Sequence, residues 1–250
     1  MNKLHQKNPI LFAALWIVIY VVSLSLADNA SVLLGPAKSA TLPVSLLLAV
    51  LLYAWIRRHR LEEFYGLCPS SVPASRLLWY FPLGMLASVN LWLGIVMNYS
   101  VPETLLYTGS MLCVGFLEEV IFRGLLFKAM LPVGLKPAVI VSSLTFGMGH
   151  LVNLINGSEA ELFASLLQVV YAVAAGFLFT ILFLRTGSIR ACILTHGVLN
   201  ALGAFANEAA RTTGRDIFSA AALTLIALGY AVYILKVTES RACKTSEIRP

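Results

Sequence analysis

The chain has 250 residues, of which 59% are hydrophobic and 12% are charged. Soluble domains carry about a quarter charged residues, so the composition excludes an ordinary soluble protein and favours a single all-α integral membrane domain over residues 1–250. The net charge is +6, but the Lys and Arg residues lie between hydrophobic runs, where membrane topology accounts for them. We therefore expect the lipid bilayer as a partner and no nucleic acid.

Eight hydrophobic segments are predicted to be membrane-spanning helices. The fourth is longer than a bilayer is thick, so its last turn is expected to leave the membrane near Lys128. The fifth could end early, at the turn signals of Asn153–Gly157. In chain order the segments cover residues 9–27, 41–56, 77–97, 103–131, 137–155, 161–184, 189–206 and 216–236.

The basic residues alternate between the predicted loops. With a cytoplasmic N-terminus, 14 of the 18 Lys and Arg residues fall in inside segments and three in outside segments, while Arg123 lies within a span. The positive-inside rule therefore predicts that both termini are cytoplasmic. A compact multi-pass chain with short loops suits a prokaryotic plasma membrane.

Polar side chains interrupt four of the spans, although an ionisable group at the bilayer centre costs ~2.5–3.5 kcal/mol on insertion scales. Groups that persist there face the protein interior, pair with each other or perform a function. They are Glu118, Glu119 and Arg123 in the fourth span, His150 in the fifth, Gln168 in the sixth, and His196 and Asn200 in the seventh.

Helical geometry sorts these residues by face. Residues four apart lie on the same side of a helix, so Glu119 is predicted to form a structural ion pair with Arg123. Glu118 points elsewhere and is free to face another helix. His196 and Asn200 are also four residues apart and share a face.

The polar groups are also predicted to lie at overlapping depths. At 1.5 Å per residue, Glu118 lies roughly 15 Å and His150 about 20 Å from the cytoplasmic ends of their spans. His196 and Asn200 lie roughly 9 and 15 Å from the same side. Three neighbouring spans could therefore contribute to a single site.

Such a site could hydrolyse an amide. A carboxylate with an imidazole can hold and deprotonate a water molecule, and a second histidine with an asparagine can donate hydrogen bonds to an oxyanion. The same side chains could instead hold Zn²⁺. The sequence lacks HExxH and GxSxG, so neither a classical zincin nor a serine nucleophile has support.

Three motifs in order resemble one known family. EEVIFR at Glu118–Arg123 fits EExxxR, FGMGH at Phe146–His150 fits FxxxH, and HGVLN at His196–Asn200 fits HxxxN. Together they resemble the CAAX protease and bacteriocin-processing family, also called Abi, which includes the type II CAAX prenyl endopeptidases. The resemblance covers about Gly115–Gly203.

The resemblance implies a helical membrane fold with a polar cavity open toward the cytoplasmic side and a catalytic core at about residues 103–206. It also implies hydrolysis of a membrane-embedded or lipidated peptide or protein. Glu118 and His150 would activate the water, while His196 and Asn200 would form the oxyanion site.

Members of this family have been described as metalloproteases and as glutamate proteases. A metal-dependent enzyme would use Glu118, His150 and His196 as zinc ligands. We favour a metal-free water and no cofactor, because His196 and Asn200 on one face suit oxyanion donors. Phe146 is expected to pack structurally.

Two other classes stay open on the sequence alone. An ion-coupled transporter could use the charged groups as a relay, although no inverted repeat is evident. A catalytically inactive immunity or scaffold protein could keep the fold, although every proposed catalytic side chain is present.

Overall fold

A computed structural model describes residues 2–151 and 159–238 of the chain. The predicted turn at Asn153–Gly157 and the basic residues Arg241, Lys244 and Arg249 lie outside the described residues. Regular secondary structure in the described ranges is helical. The helices are α1 Asn2–Lys7, α2 Pro9–Leu34, α3 Thr41–Arg58, α4 Phe81–Ala87, α5 Val101–Glu119, α6 Lys128–Met130, α7 Leu135–Gly149, α8 Glu159–Thr186, α9 Arg190–Ala201 and α10 Thr213–Val237, with a π-helix at Val120–Phe127 between α5 and α6.

Four helices in the described ranges are long and apolar enough to cross a membrane: α2, α3, most of α8 and α10. The shorter helix α7 is also apolar. A bilayer-spanning helix needs about 20 residues that are mostly apolar. The architecture is thus that of an all-helical integral membrane protein.

The segment that carries EExxxR is helical from α5 through the π-helix to α6. Its bounds, Val101 and Met130, lie close to those of the predicted fourth span, residues 103–131. It starts with a capping box, in which the Ser100 backbone and side chain both bond to the carboxylate of Glu103. Pro102 in the first turn suits a helix start, because its missing N–H has no helical partner there. The wider π-helical turns begin directly after Glu119, and such turns are frequent at functional sites.

The prediction of one continuous helix at residues 77–97 was wrong. A 3₁₀ helix at Ala74–Tyr80 precedes α4. The backbone at Leu78, Trp79 and Tyr80 has left-handed torsion angles, with φ of 50°, 52° and 58°, which break the helical path before α4 begins. Seven residues of α4 rise only about 10 Å. A 3₁₀ helix at Val89–Leu91 follows, and farther along Val96 N–H donates to the Phe205 carbonyl at 3.0 Å. High hydropathy alone did not reveal this break.

Two apolar cores position the site. The first lies among α2, α3, α5, the π-helix and α7, and the second lies among α4, α8, α9 and α10. Helix α5 packs along α9, α7 packs along α8, and α2 packs against the π-helix. The three motif-bearing segments therefore meet where the two cores adjoin.

Candidate active site

Two glycines bring α5 and α9 into close contact. A Cβ atom placed on Gly115 would lie 2.5 Å from the Gly197 nitrogen and 2.6 Å from its Cα. Because Gly115 lies one turn before Glu118 and Gly197 directly follows His196, the crossing sets the distance between these two side chains. Any larger residue at Gly115 must push the two helices apart.

We expect Gly115→Ala to destabilise the protein by about 1–3 kcal/mol, the usual cost of overpacking a tight contact. The matched control is Gly229→Ala in α10, where an added Cβ meets nothing within 4 Å and alanine favours the helix. Thermal unfolding in detergent measures both effects. A Gly115→Ala protein as stable as the wild type would contradict the close crossing.

A buried charge cluster joins α5, the π-helix and α9. Arg123 Nη1 donates to Glu119 Oε1 at 3.0 Å, and both side chains are fully buried. The same oxygen lies 2.9 Å from His196 Nδ1. Glu119 therefore binds His196 in addition to its predicted partner Arg123, a second contact that the helical spacing did not predict.

Aromatic rings enclose the guanidinium of this cluster. The Arg123 Cζ atom lies 4.0 Å from the centre of the Phe146 ring and 5.4 Å from that of Phe179. Phe146 also packs edge-on against His150 and His196, with ring centres 5.8 and 5.4 Å apart. The first residue of FxxxH thus contacts the buried cation and both imidazoles, which extends its predicted packing role.

Glu118 faces away from Arg123, as its helical position predicts. Its Oε2 lies 3.5 Å from His196 Nε2, and its Oε1 accepts a hydrogen bond from the Tyr20 hydroxyl at 2.5 Å. The two nitrogens of His196 therefore point at two different glutamates. This arrangement fixes both the position and the orientation of the imidazole ring.

A cavity of about 50 Å³ lies beside this pair. His150, His196, Asn200, Gln168 and Tyr171 supply its polar side chains, and the other lining residues are apolar. At ~10–15 Å³ per water, the space accommodates a few water molecules. The structure thus places His150, His196 and Asn200 around one cavity. Glu118 contacts His196.

Sequence reasoning missed Tyr20. It lies on α2, in the predicted first span, and is 98 residues from Glu118 along the chain. A tyrosine in an apolar helix carries no motif, and nothing in the spacing of residues predicts a contact over such a separation. A hydroxyl on a largely apolar, buried helix face is a weak signal, and Ser31 on the same helix carries one too.

The donor side chains give little support to the zinc alternative. In the described ranges, no group of three or more His, Cys, Asp or Glu side chains is arranged to hold a metal ion. The bonds of Tyr20 to Glu118 and of Glu119 to His196 leave Glu118 Oε2 and His196 Nε2 as the remaining donor atoms, 3.5 Å apart, and bonds of this kind also occur around metal ligands. Glu118, His150 and His196 do not fit a metal centre in this arrangement, and we derive no step through one.

Fold and site together define a helical membrane protein with a buried carboxylate–imidazole cluster at the junction of three helices. Residues 100–202 match the family model described as type II CAAX prenyl endopeptidase Rce1-like. This segment contains all three motifs, so the match confirms the predicted resemblance to the CAAX protease and bacteriocin-processing family. Comparison with curated proteins and with solved structures gave no match.

Proposed function

We propose that the chain is an intramembrane endopeptidase that hydrolyses a peptide bond of a membrane-embedded or lipidated peptide or protein. The observation that carries the proposal is the approach of Glu118 and His196, at 3.5 Å, beside a cavity lined by His150 and Asn200. The match of residues 100–202 to a protease family supports it. A carboxylate next to an imidazole and a water-sized space is an arrangement suited to hydrolysis.

Glu118 acts as the general base in this proposal. Tyr20 occupies Oε1, which leaves Oε2 to accept a proton from a water in the cavity, with His150 orienting that water. The hydroxide then attacks the carbonyl carbon of the scissile peptide bond, and the carbonyl oxygen becomes an oxyanion. When the C–N bond breaks, Glu118 returns its proton to the leaving amine nitrogen.

His196 and Asn200 stabilise the oxyanion in this proposal. Asn200 donates through its side-chain amide, and His196 donates through Nε2–H. Because Nδ1–H of His196 is bound to Glu119, donation from Nε2 requires a doubly protonated ring, whose charge the neighbouring carboxylates offset. Donors held in place before the reaction cost no reorganisation in the transition state.

We infer that the cavity opens toward the cytoplasmic side and that both termini lie there, in a prokaryotic plasma membrane. The alternation of basic loops supports this orientation. In the described ranges, Arg57, Arg58 and Lys128 occur in the last turns of helical segments on one predicted side. The substrate's scissile bond then reaches the site from the cytoplasmic interface.

A cleavage assay tests the proposal. The purified chain in lipid nanodiscs is given a farnesylated peptide ending in a CAAX sequence, the same peptide without the lipid, and membranes of an expression host. We expect new peptide termini by mass spectrometry in at least one of these samples. Absence of any new terminus in all three would contradict an endopeptidase and leave the inactive scaffold or the transporter.

We expect the water to be activated without a metal. Elemental analysis of the purified active protein should find well below one zinc per chain, and EDTA should leave the cleavage rate unchanged. Added Zn²⁺ serves as the control for loss of metal during purification. One zinc per chain, or EDTA inactivation reversed by zinc, would contradict the metal-free proposal.

A further inference from the structure

Tyr20 lies on the buried face of α2. Phe12, Trp16, Tyr20 and Leu24 follow one another at intervals of four, and all are buried, so they form one stripe that packs toward the core. Tyr20 carries the hydroxyl in this stripe. It is 8% exposed, and its helix packs against the π-helix that follows Glu119.

The hydroxyl of Tyr20 restrains Glu118. The Glu118 side chain is only 15% exposed, and an ionised group that is largely buried needs hydrogen-bond donors to replace water. Tyr20 donates to Oε1 at 2.5 Å, and a bond to a charged acceptor is about twice as strong as a neutral one. One oxygen is thus fixed, and the other, Oε2, is directed toward His196 at 3.5 Å.

We propose that Tyr20 is a positioning residue that holds Glu118 in the orientation its reaction needs. The proposal rests on the proposed function, because Glu118 is the general base there. It extends the functional unit beyond the expected core at residues 103–206 and beyond the matched segment 100–202. The first membrane helix then contributes to catalysis in addition to anchoring the chain.

The test is Tyr20→Phe, which removes one hydroxyl and keeps the ring. The matched control is Tyr230→Phe in α10, since Tyr230 is also buried and its hydroxyl donates to the Leu77 carbonyl at 2.7 Å. We expect Tyr20→Phe to lower kcat about tenfold or more, as for loss of a bond to a charged group, with KM unchanged within about twofold. Tyr230→Phe should lose the smaller stability of a neutral hydrogen bond and keep the wild-type kcat.

A thermodynamic cycle tests the contact without any activity measurement. Tyr20→Phe should lower the unfolding temperature of the wild type but have little effect on the Glu118→Leu background, because the hydroxyl has lost its acceptor there. Equal losses on both backgrounds would overturn the contact and with it the positioning role.

The kinetic outcomes separate the two proposals. A wild-type kcat for Tyr20→Phe, alongside an inactive Glu118→Gln protein, would overturn the role of Tyr20 and leave the proposed function intact. Full activity of Glu118→Gln would remove the general base and hence both proposals. Loss of kcat in Tyr20→Phe equal to that in Tyr230→Phe would mark a general structural effect and overturn positioning.

Discussion

Replacing Glu118 by glutamine is expected to abolish proteolysis while expression, membrane insertion and thermal stability stay near those of the wild type. The amide has the size of the carboxylate, and its oxygen can still accept from Tyr20, so the contact at Oε1 is preserved. What is lost is the base that takes a proton from water. Removing a general base costs about 10²–10⁴ in rate, which would take the turnover of a slow membrane protease below detection.

The measurement is the rate of product formation in nanodiscs, combined with proteomics of membranes that contain either protein. A substrate should accumulate uncleaved in the Glu118→Gln membranes, which would also identify it. The matched control is Glu208→Gln, whose carboxylate is 63% exposed and pairs with Arg211 on the surface; it should keep full activity. A Glu118→Gln protein that cleaves at the wild-type rate would refute the mechanism.

Local geometry explains which parts of this site the sequence could predict. Residues four apart share a helix face, and Glu119 does contact Arg123, at 3.0 Å. Glu118 correctly falls on another face. The depth argument needed only helix rise and span direction, and the structure places His150, His196 and Asn200 around one cavity. The facing and the depth of each side chain follow from the helical repeat and rise of its own span.

Contacts between distant helices explain what the sequence could not predict. His196 bonds to Glu119 across 77 residues, and Tyr20 bonds to Glu118 across 98. Both depend on how helices rotate and approach one another, which the close crossing at Gly115 helps to set. A further contact of this kind lies near the end of the helix expected at residues 77–97, where the chain at Val96 pairs with Phe205.

Replacing Glu119 by glutamine is expected to lower both stability and activity. Oε1 of Glu119 accepts from Arg123 and His196, while Oε2 has no partner in the described residues. Glutamine can therefore keep both hydrogen bonds through its carbonyl oxygen, and what it removes is the charge. Leaving one partner of a buried ion pair uncompensated costs about 3–5 kcal/mol, and thermal or denaturant unfolding in detergent measures the loss.

The double variant Glu119→Gln/Arg123→Met separates the two roles of Glu119. Methionine removes the uncompensated cation and has the flexible apolar shape to lie between Phe146 and Phe179, which now flank the guanidinium. Replacing a whole buried pair is often neutral, so much of the lost stability should return. Activity should not return, because His196 Nδ1 still lacks a charged acceptor and the doubly protonated ring has lost one of the two carboxylates that offset its charge. Recovery of activity together with stability would mean that Glu119 supports catalysis only by keeping the protein folded.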